Sequence, residues 1–302
     1  MAKKHNEISN TTNVILNIIF ICYTIACIAP LLLVFIISIT DEQTLIQNGY
    51  SFFPEKTSLA AYRFAFSESN VLKVAYLNTI FVTLIGTVLT VLVIALFAYP
   101  LSRKDFKYRN VFSFILFFTM LFSGGLVPWY FVCVRILHIK NTLIALFIPY
   151  LMSAWYVLIV RTFFTTSVPD SLIDSAKIDG SGEFRTFFSI VLPLSKPVLA
   201  TVALFSALMF WNDWWLPLML TTDDRYMNLQ YMLQRIQQNI QFITEMKNIG
   251  GGGGIIHKLA ADIPTESSRM ALCILAIGPI IFVYPFLQKY FVQGLTIGAI
   301  KG

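Results

Sequence analysis

The chain alternates long apolar stretches with short polar ones. A helix that spans a bilayer needs about 20 mainly apolar residues, because the hydrocarbon core is about 30 Å thick and each residue rises about 1.5 Å. Six stretches meet that length, at 14–39, 76–101, 111–134, 142–163, 197–220 and 270–287. The first carries no charge between Glu7 and Asp41 and follows Lys3 and Lys4. That start is like a signal peptide, but the stretch is too long and has no Ala-x-Ala cleavage site, so it reads as an uncleaved helix. Pro30, Pro128, Pro149 and Pro279 fall within or beside these spans and read as kinks, since neighbouring helices can satisfy the freed carbonyls.

Composition supports this reading. Hydrophobic residues make up 57% of the 302 and charged residues only 13%, against roughly 45–50% and about 25% in soluble domains. So few charges cannot cover a water-facing surface, but they suffice for a chain whose outer surface meets membrane lipid. A mean hydropathy of +0.71 excludes disorder and, despite a net charge of +6, a nucleic-acid-binding module. The positive charge instead sets topology. Arg103, Lys104, Lys107 and Arg109 crowd the second loop, whereas the first holds Lys56, Arg63 and Lys73 against Asp41, Glu42, Glu55 and Glu68. Lys and Arg are retained on the cytoplasmic side, so both termini are expected in the cytoplasm, the loop 165–196 inside and the loop 221–269 outside. Cys22, Cys27, Cys133 and Cys273 lie in apolar runs and read as buried thiols. His5, His138 and His257 fall in separate segments, so no metal site is expected.

The inside loop is the most specific segment. Residues 167–197 are too polar for lipid and read as two short helices. For the first, about 169–179, Ser167 suits the cap, Pro169 the first turn, Asp170 the positive helix end and Gly180 the left-handed closing residue. The second starts near Glu183 and spaces Phe184, Phe187, Phe188 and Val191 at i, i+3, i+4 and i+7, an apolar face that calls for a partner before Pro193 and Pro197 end the helix. An amphipathic helix pair on the membrane surface is the plainer alternative.

This loop resembles the EAA loop of binding-protein-dependent ABC importer permeases, whose pattern is roughly E-A-A-x-x-D-G-A, an aromatic, I-x-L-P-L and a further Pro. Here Asp174, Ser175, Ala176, Asp179, Gly180, Phe187, Ile190, Leu192, Pro193, Leu194 and Pro197 occupy those positions. Asp174 replaces Glu, and Ser175 and Ser181 replace Ala. The stretches AYPLSRKDF (98–106), MLFSGGLVPWY (120–130) and VYPFLQKYFVQGLTIGAIKG (283–302) are similar to carbohydrate-uptake permeases of the maltose-type inner-subunit branch that handles oligosaccharides in Gram-positive bacteria. Gly124 and Gly125 equally suit plain close packing. The resemblance implies an all-α integral membrane protein: one transmembrane domain over 1–302, six helices, and the type I importer permease bundle with a cytoplasmic coupling loop. It also implies a second homologous permease, P-loop ATPase subunits and an extracytoplasmic solute-binding lipoprotein as partners in the bacterial cell membrane. Asp174, Ser175, Ala176, Asp179, Gly180, Phe184, Phe187, Phe188, Leu192 and Pro193 are the expected ATPase-coupling set. No G-x-x-x-x-G-K-[ST] occurs, so ATP and Mg are expected on the partner ATPase, with no cofactor and no catalytic residue in this chain.

Trp211, Asn212, Asp213 and Trp214 in the fifth span are the expected substrate path. An intramembrane carboxylate is costly unless it faces a cavity or a partner, and Trp faces and amides suit sugar C–H surfaces and hydroxyls. Trp214 and Trp215 equally suit the outer aromatic belt. In the outside loop, amide-rich 230–241 precedes five consecutive glycines, Gly250–Gly254; the resemblance implies that this loop meets the solute-binding protein, with the glycines as its tip, and a plain spacer is the alternative. A permease for peptides or amino acids remains the alternative within transport. An integral-membrane enzyme would need clustered His, Asp or Glu, and a proton-coupled transporter several buried carboxylates or an inverted repeat.

Overall fold

The computed structural model describes residues 10–66, 69–248, 266–278 and 281, which are mainly helical and include no strand; the backbone makes one isolated bridge, Thr40 to Thr57. The chain divides into two compact units, 1–69 with 236–277, and 70–235 with 278–302.

In the first unit α1 (Asn10–Ser38) is a single apolar helix whose side chains, Phe20, Tyr23 and Ile25 among them, are exposed along nearly its whole length. An apolar surface of that extent belongs against lipid or a partner. Cys22 and Cys27 lie on it, and with Cys273 they are exposed, so of the four thiols expected to be buried only Cys133 is; an apolar helix can hide a thiol in lipid as well as in a core. Two short helices follow, α2 (Glu42–Asn48) and α3 (Ala60–Ala65), and a Ser38 Oγ to Tyr62 hydroxyl bond of 2.9 Å ties α3 to the end of α1. The Glu42 carboxylate accepts from Glu266 N at 2.9 Å, Ser267 N at 3.0 Å and Ser267 Oγ at 2.7 Å. It therefore caps the helix 266–278, whose first amides have no partner within the helix. That helix is the described part of the expected sixth span; the rest of 270–287, the C-terminal stretch 283–302 and Gly250–Gly254 lie outside the described residues.

In the second unit α4 (Ser69–Ser102) crosses the expected second span unbroken, despite Pro100 near its end. The third expected span is not one helix. α5 (Arg109–Leu121) and α6 (Leu126–Phe131, running on through a π-helical turn to Ile136) meet at 114°. The break is Phe122–Gly125, where Gly125 takes φ +86°, a conformation other residues adopt at a cost, and Ser123 Oγ accepts the Gly125 N–H at 3.2 Å. The fourth begins as 3₁₀ turns over Leu143–Tyr150, where Thr142 Oγ1 caps through Ala145 N, then bends 54° into α7 (Ala154–Ser167). Pro149, without an N–H, sits in the irregular half.

Next come α8 (Asp170–Ile178), then α9 (Glu183–Thr186), a π-helical turn (Phe187–Val191) and α10 (Leu192–Leu194) as one rod, Glu183–Leu194, which turns 80° at Ser195 into α11 (Lys196–Trp211). The fifth expected span divides again, into α11 and α12 (Trp215–Leu220). α13 (Leu229–Asn248) begins in this unit, so the amide-rich 230–241 is helix. Asn78 Nδ2 donates to the carbonyls of Arg225 (2.9 Å) and Met227 (2.8 Å), and Thr79 Oγ1 accepts from Leu229 N (2.8 Å). Two polar residues of α4 thus hold the approach to α13. The core gathers Ile94, Ala98 and Tyr99 of α4, Leu116 of α5, Val157, Val160 and Phe164 of α7, and Val198 and Val202 of α11. Ile173 of α8 and Phe187 and Val191 of the rod join it, so the loop 167–197 is packed against the helices it connects.

Candidate functional site

The first helix of that loop forms as its sequence predicts, with one correction. Ser167 is the last residue of α7 and caps nothing; Pro169 stands at the N-terminal boundary of α8 with no side-chain cap. The start is secured by charge. Asp170 takes Arg103 Nη1 at 3.3 Å and Lys104 Nζ at 2.9 Å, and the Lys104 hydrogen bond holds its carboxyl below the usual carboxylate value. At the other end Gly180 adopts φ +77°, with Gly180 N to Lys177 O at 3.0 Å and Ser181 N to Ala176 O at 2.8 Å. This pair of bonds is the Schellman closure, which needs a left-handed residue at Gly180.

α8 buries Ile173 and Ala176 and turns Asp174, Ser175, Ile178 and Asp179 outward. The second helix departs from the expected face. Phe187 and Val191 are buried, whereas Phe184 is 76% and Phe188 49% exposed. The π-helical turn over Phe187–Val191 spends an extra residue per turn, so four positions that share a stripe on a regular α-helix divide between two sides. Pro193, which has no N–H for the carbonyl four residues back, sits two residues after its end. Leu192 is half-buried and Pro193 exposed. Ile178, 86% exposed, joins Phe184 and Phe188 as a large apolar side chain displayed by the loop. Sequence reasoning passed over it, although an isoleucine between Lys177 and Asp179 was the available signal.

Polar contacts tie the loop to the end of α4. The Tyr99 hydroxyl donates to Glu183 Oε2 at 2.6 Å, Lys177 Nζ lies 3.3 Å from Glu183 Oε1, and the same ammonium donates to Asp105 Oδ2 at 2.6 Å. The Lys177 bond lowers the Asp105 pKa, and Asp105 and then Glu183 raise that of Lys177.

The second candidate region is the break between α11 and α12. Trp211 is buried, and the Asn212 side chain donates to its own helix at Leu208 O, 2.8 Å away. Asp213 is buried and its Oδ1 accepts from Trp215 N (3.1 Å), Leu216 N (3.4 Å) and the Tyr150 hydroxyl (3.4 Å), the pattern of a helix cap. Asn228 Nδ2 donates to the Asp213 carbonyl, and its Oδ1 accepts from Tyr231 N at 3.0 Å. Trp214 is exposed, and Trp215 packs on Trp129 with ring centroids 4.7 Å apart. The four expected path residues thus point to different sides: Trp211 and Asp213 inward, Asn212 and Trp214 outward. Among the described residues no cluster of His, Cys, Asp and Glu could hold a metal ion.

The family described as "Binding-protein-dependent transport system inner membrane component" matches residues 91–297. The chain belongs to that family. The polygalacturonan/rhamnogalacturonan transport system permease protein YtcP of Bacillus subtilis is 34% identical over 283 residues, 93% of this chain and 94% of the relative. Protein LplC of the same organism is 36% identical over 275 residues, 91% and 90% of the two chains. Among solved structures, a chain of a bacterial ABC transporter involved in the import of the acidic polysaccharide alginate superposes with a TM-score of 0.75 at 26% identity, covering 94% of this chain and 99% of that one.

The permease is therefore a membrane-embedded, non-catalytic transport subunit with the all-α type I importer fold. Membership of an ABC importer implies a separate ATPase and a solute-binding protein. Residues 167–197 fall within the matched region.

Proposed function

We propose that this permease imports an oligosaccharide in a complex of two homologous permease chains, with both its termini and the loop 167–197 in the cytoplasm. A solute-binding lipoprotein delivers the sugar outside, and ATP and Mg are bound by ATPase subunits inside. The similarity, over more than nine-tenths of both chains, to a permease named for polygalacturonan and rhamnogalacturonan transport supports the sugar class. Ile178, Phe184 and Phe188, displayed beside the exposed Asp174, Ser175 and Asp179, support docking of the ATPase on this loop. Burial of such side chains in a groove supplies affinity, while the packed inner face carries rigid-body movement into α4, α7 and α11. For Asn212 and Trp214 we propose contact with the sugar, and for Asp213 the capping of α12 that positions them.

Uptake of radiolabelled oligogalacturonide into proteoliposomes that hold the whole complex and its binding protein tests this reading. We expect accumulation that requires internal ATP and survives collapse of the proton gradient. Uptake of oligopeptides instead would overturn the sugar assignment, and dependence on the proton gradient would overturn the importer mechanism.

A further inference from the structure

A groove of about 420 Å³ runs between the end of α4 and the start of the rod Glu183–Leu194, with Leu96, Pro100, Phe106 and Phe187 among the apolar residues that line it. Apolar burial across such a groove has little directional preference of its own and orients the helices only through the fit of their side chains. The polar groups in and beside it do have direction. Tyr99 is 8% exposed, its ring packs on Phe187 with centroids 5.3 Å apart, and its hydroxyl reaches Glu183 at 2.6 Å. Glu183 meets Lys177 at 3.3 Å, and Lys177 meets Asp105 at 2.6 Å. The start of α8 is held through Asp170 by Arg103 and Lys104, and Arg103 also lies 3.8 Å from Asp105, so the two sets of contacts are joined. Both ends of α8 are thereby fastened to the short segment 99–105 that closes α4.

We propose that Tyr99, Glu183, Lys177 and Asp105 form a latch that fixes the angle of α8 against α4, so that movement imposed on the loop reaches the membrane helix without slip. These are positioning residues. The latch rests on the reading of the loop as the ATPase dock. Exposed ion pairs contribute little to stability, so the latch is read through coupling and helix geometry and not through the unfolding temperature. Tyr99 belongs to α4 and is buried, so the loss of its hydroxyl leaves the outer face of the loop intact.

The test uses the whole complex in proteoliposomes with radiolabelled oligogalacturonide as the probe, recording sugar taken up per ATP hydrolysed. In Tyr99→Phe and Lys177→Met we expect the ATPase to co-purify as with the unaltered chain and the ratio to fall by about threefold or more, with Lys177→Arg close to the unaltered chain. Spin labels at Leu172 on α8 and Val88 on α4, with the native cysteines replaced, should give a narrow distance distribution that broadens in Tyr99→Phe and Lys177→Met. An unchanged ratio and an unbroadened distribution in both variants, with ATPase bound, would overturn the latch and leave the docking reading standing. Failure of the unaltered chain to retain an ATPase would overturn the docking reading and the latch with it.

Discussion

Gly86 of α4 lies against the ring of Phe210 of α11 so closely that a Cβ on Gly86 would stand 2.8 Å from Phe210 Cε2 and 2.9 Å from Cζ. Phe210 is fully buried beside Val82, Leu146 and Phe147, so the ring has little room to withdraw. Gly86→Ala should therefore destabilise the chain by about 1–3 kcal/mol through overpacking. Phe210→Leu, which opens space where the new methyl intrudes, should recover part of that loss. Thermal unfolding of both single variants and the double variant in detergent checks the pair, and simple additivity would show that the two sites do not share the strain.

A Cβ added at Gly180 would meet nothing within 4 Å, yet its φ of +77° makes a side chain costly there. Gly180→Ala should strain the closure of α8 by about 1–2 kcal/mol, leave membrane insertion intact and abolish uptake. Gly180→Asn should retain more uptake, since Asn tolerates the left-handed region better than Ala. Quantifying the chain in isolated membranes beside uptake separates the two effects. Normal uptake by Gly180→Ala would refute the coupling role of the loop.

Glu42 supplies its carboxylate to the first amides of the helix 266–278. Replacing a cap costs about 0.5–2 kcal/mol, so Glu42→Ala should lower the unfolding temperature while Glu42→Gln, which keeps an acceptor, loses less. Hydrogen exchange at Ser267 and Ser268 should rise in the same order.

The contacts at both ends of α8 set a pH window. Asp105 and Asp170 are held below their ordinary 3.8, so their contribution is complete above that value and lost as pH falls through their lowered values. Lys177 is raised above its ordinary 10.5, so its contribution is complete below that value and lost as pH rises through the raised one. The ratio of sugar imported to ATP hydrolysed should accordingly be flat from about pH 5 to pH 9. A step inside that range, measured in proteoliposomes buffered equally on both faces, would mean that a group other than these three governs coupling.

Much of the permease was readable from local sequence. Apolar runs mark the expected membrane segments because a bilayer imposes one minimum length on every span. Pro169, Asp170 and Gly180 mark α8 because terminal amides, carbonyls and a left-handed residue are local requirements. The split of the expected face into buried Phe187 and exposed Phe184 and Phe188 was hidden, since a π-helical turn keeps the same residues in the same order and changes only their angle about the axis. The breaks at Phe122–Gly125 and after Trp211 were hidden for a related reason. Hydrophobicity reports how much apolar surface a segment carries, but where the segment bends depends on which carbonyls and amides find partners elsewhere. Asp213 shows this: composition makes it a candidate for substrate contact, and only its distances to Trp215 N, Leu216 N and Tyr150 reveal a cap. Tyr99, Lys177, Asp105 and Glu183 carry no shared signal in one dimension. Their alignment exists only because α4 and the loop, some 80 positions apart (84 between Tyr99 and Glu183), pack into one core.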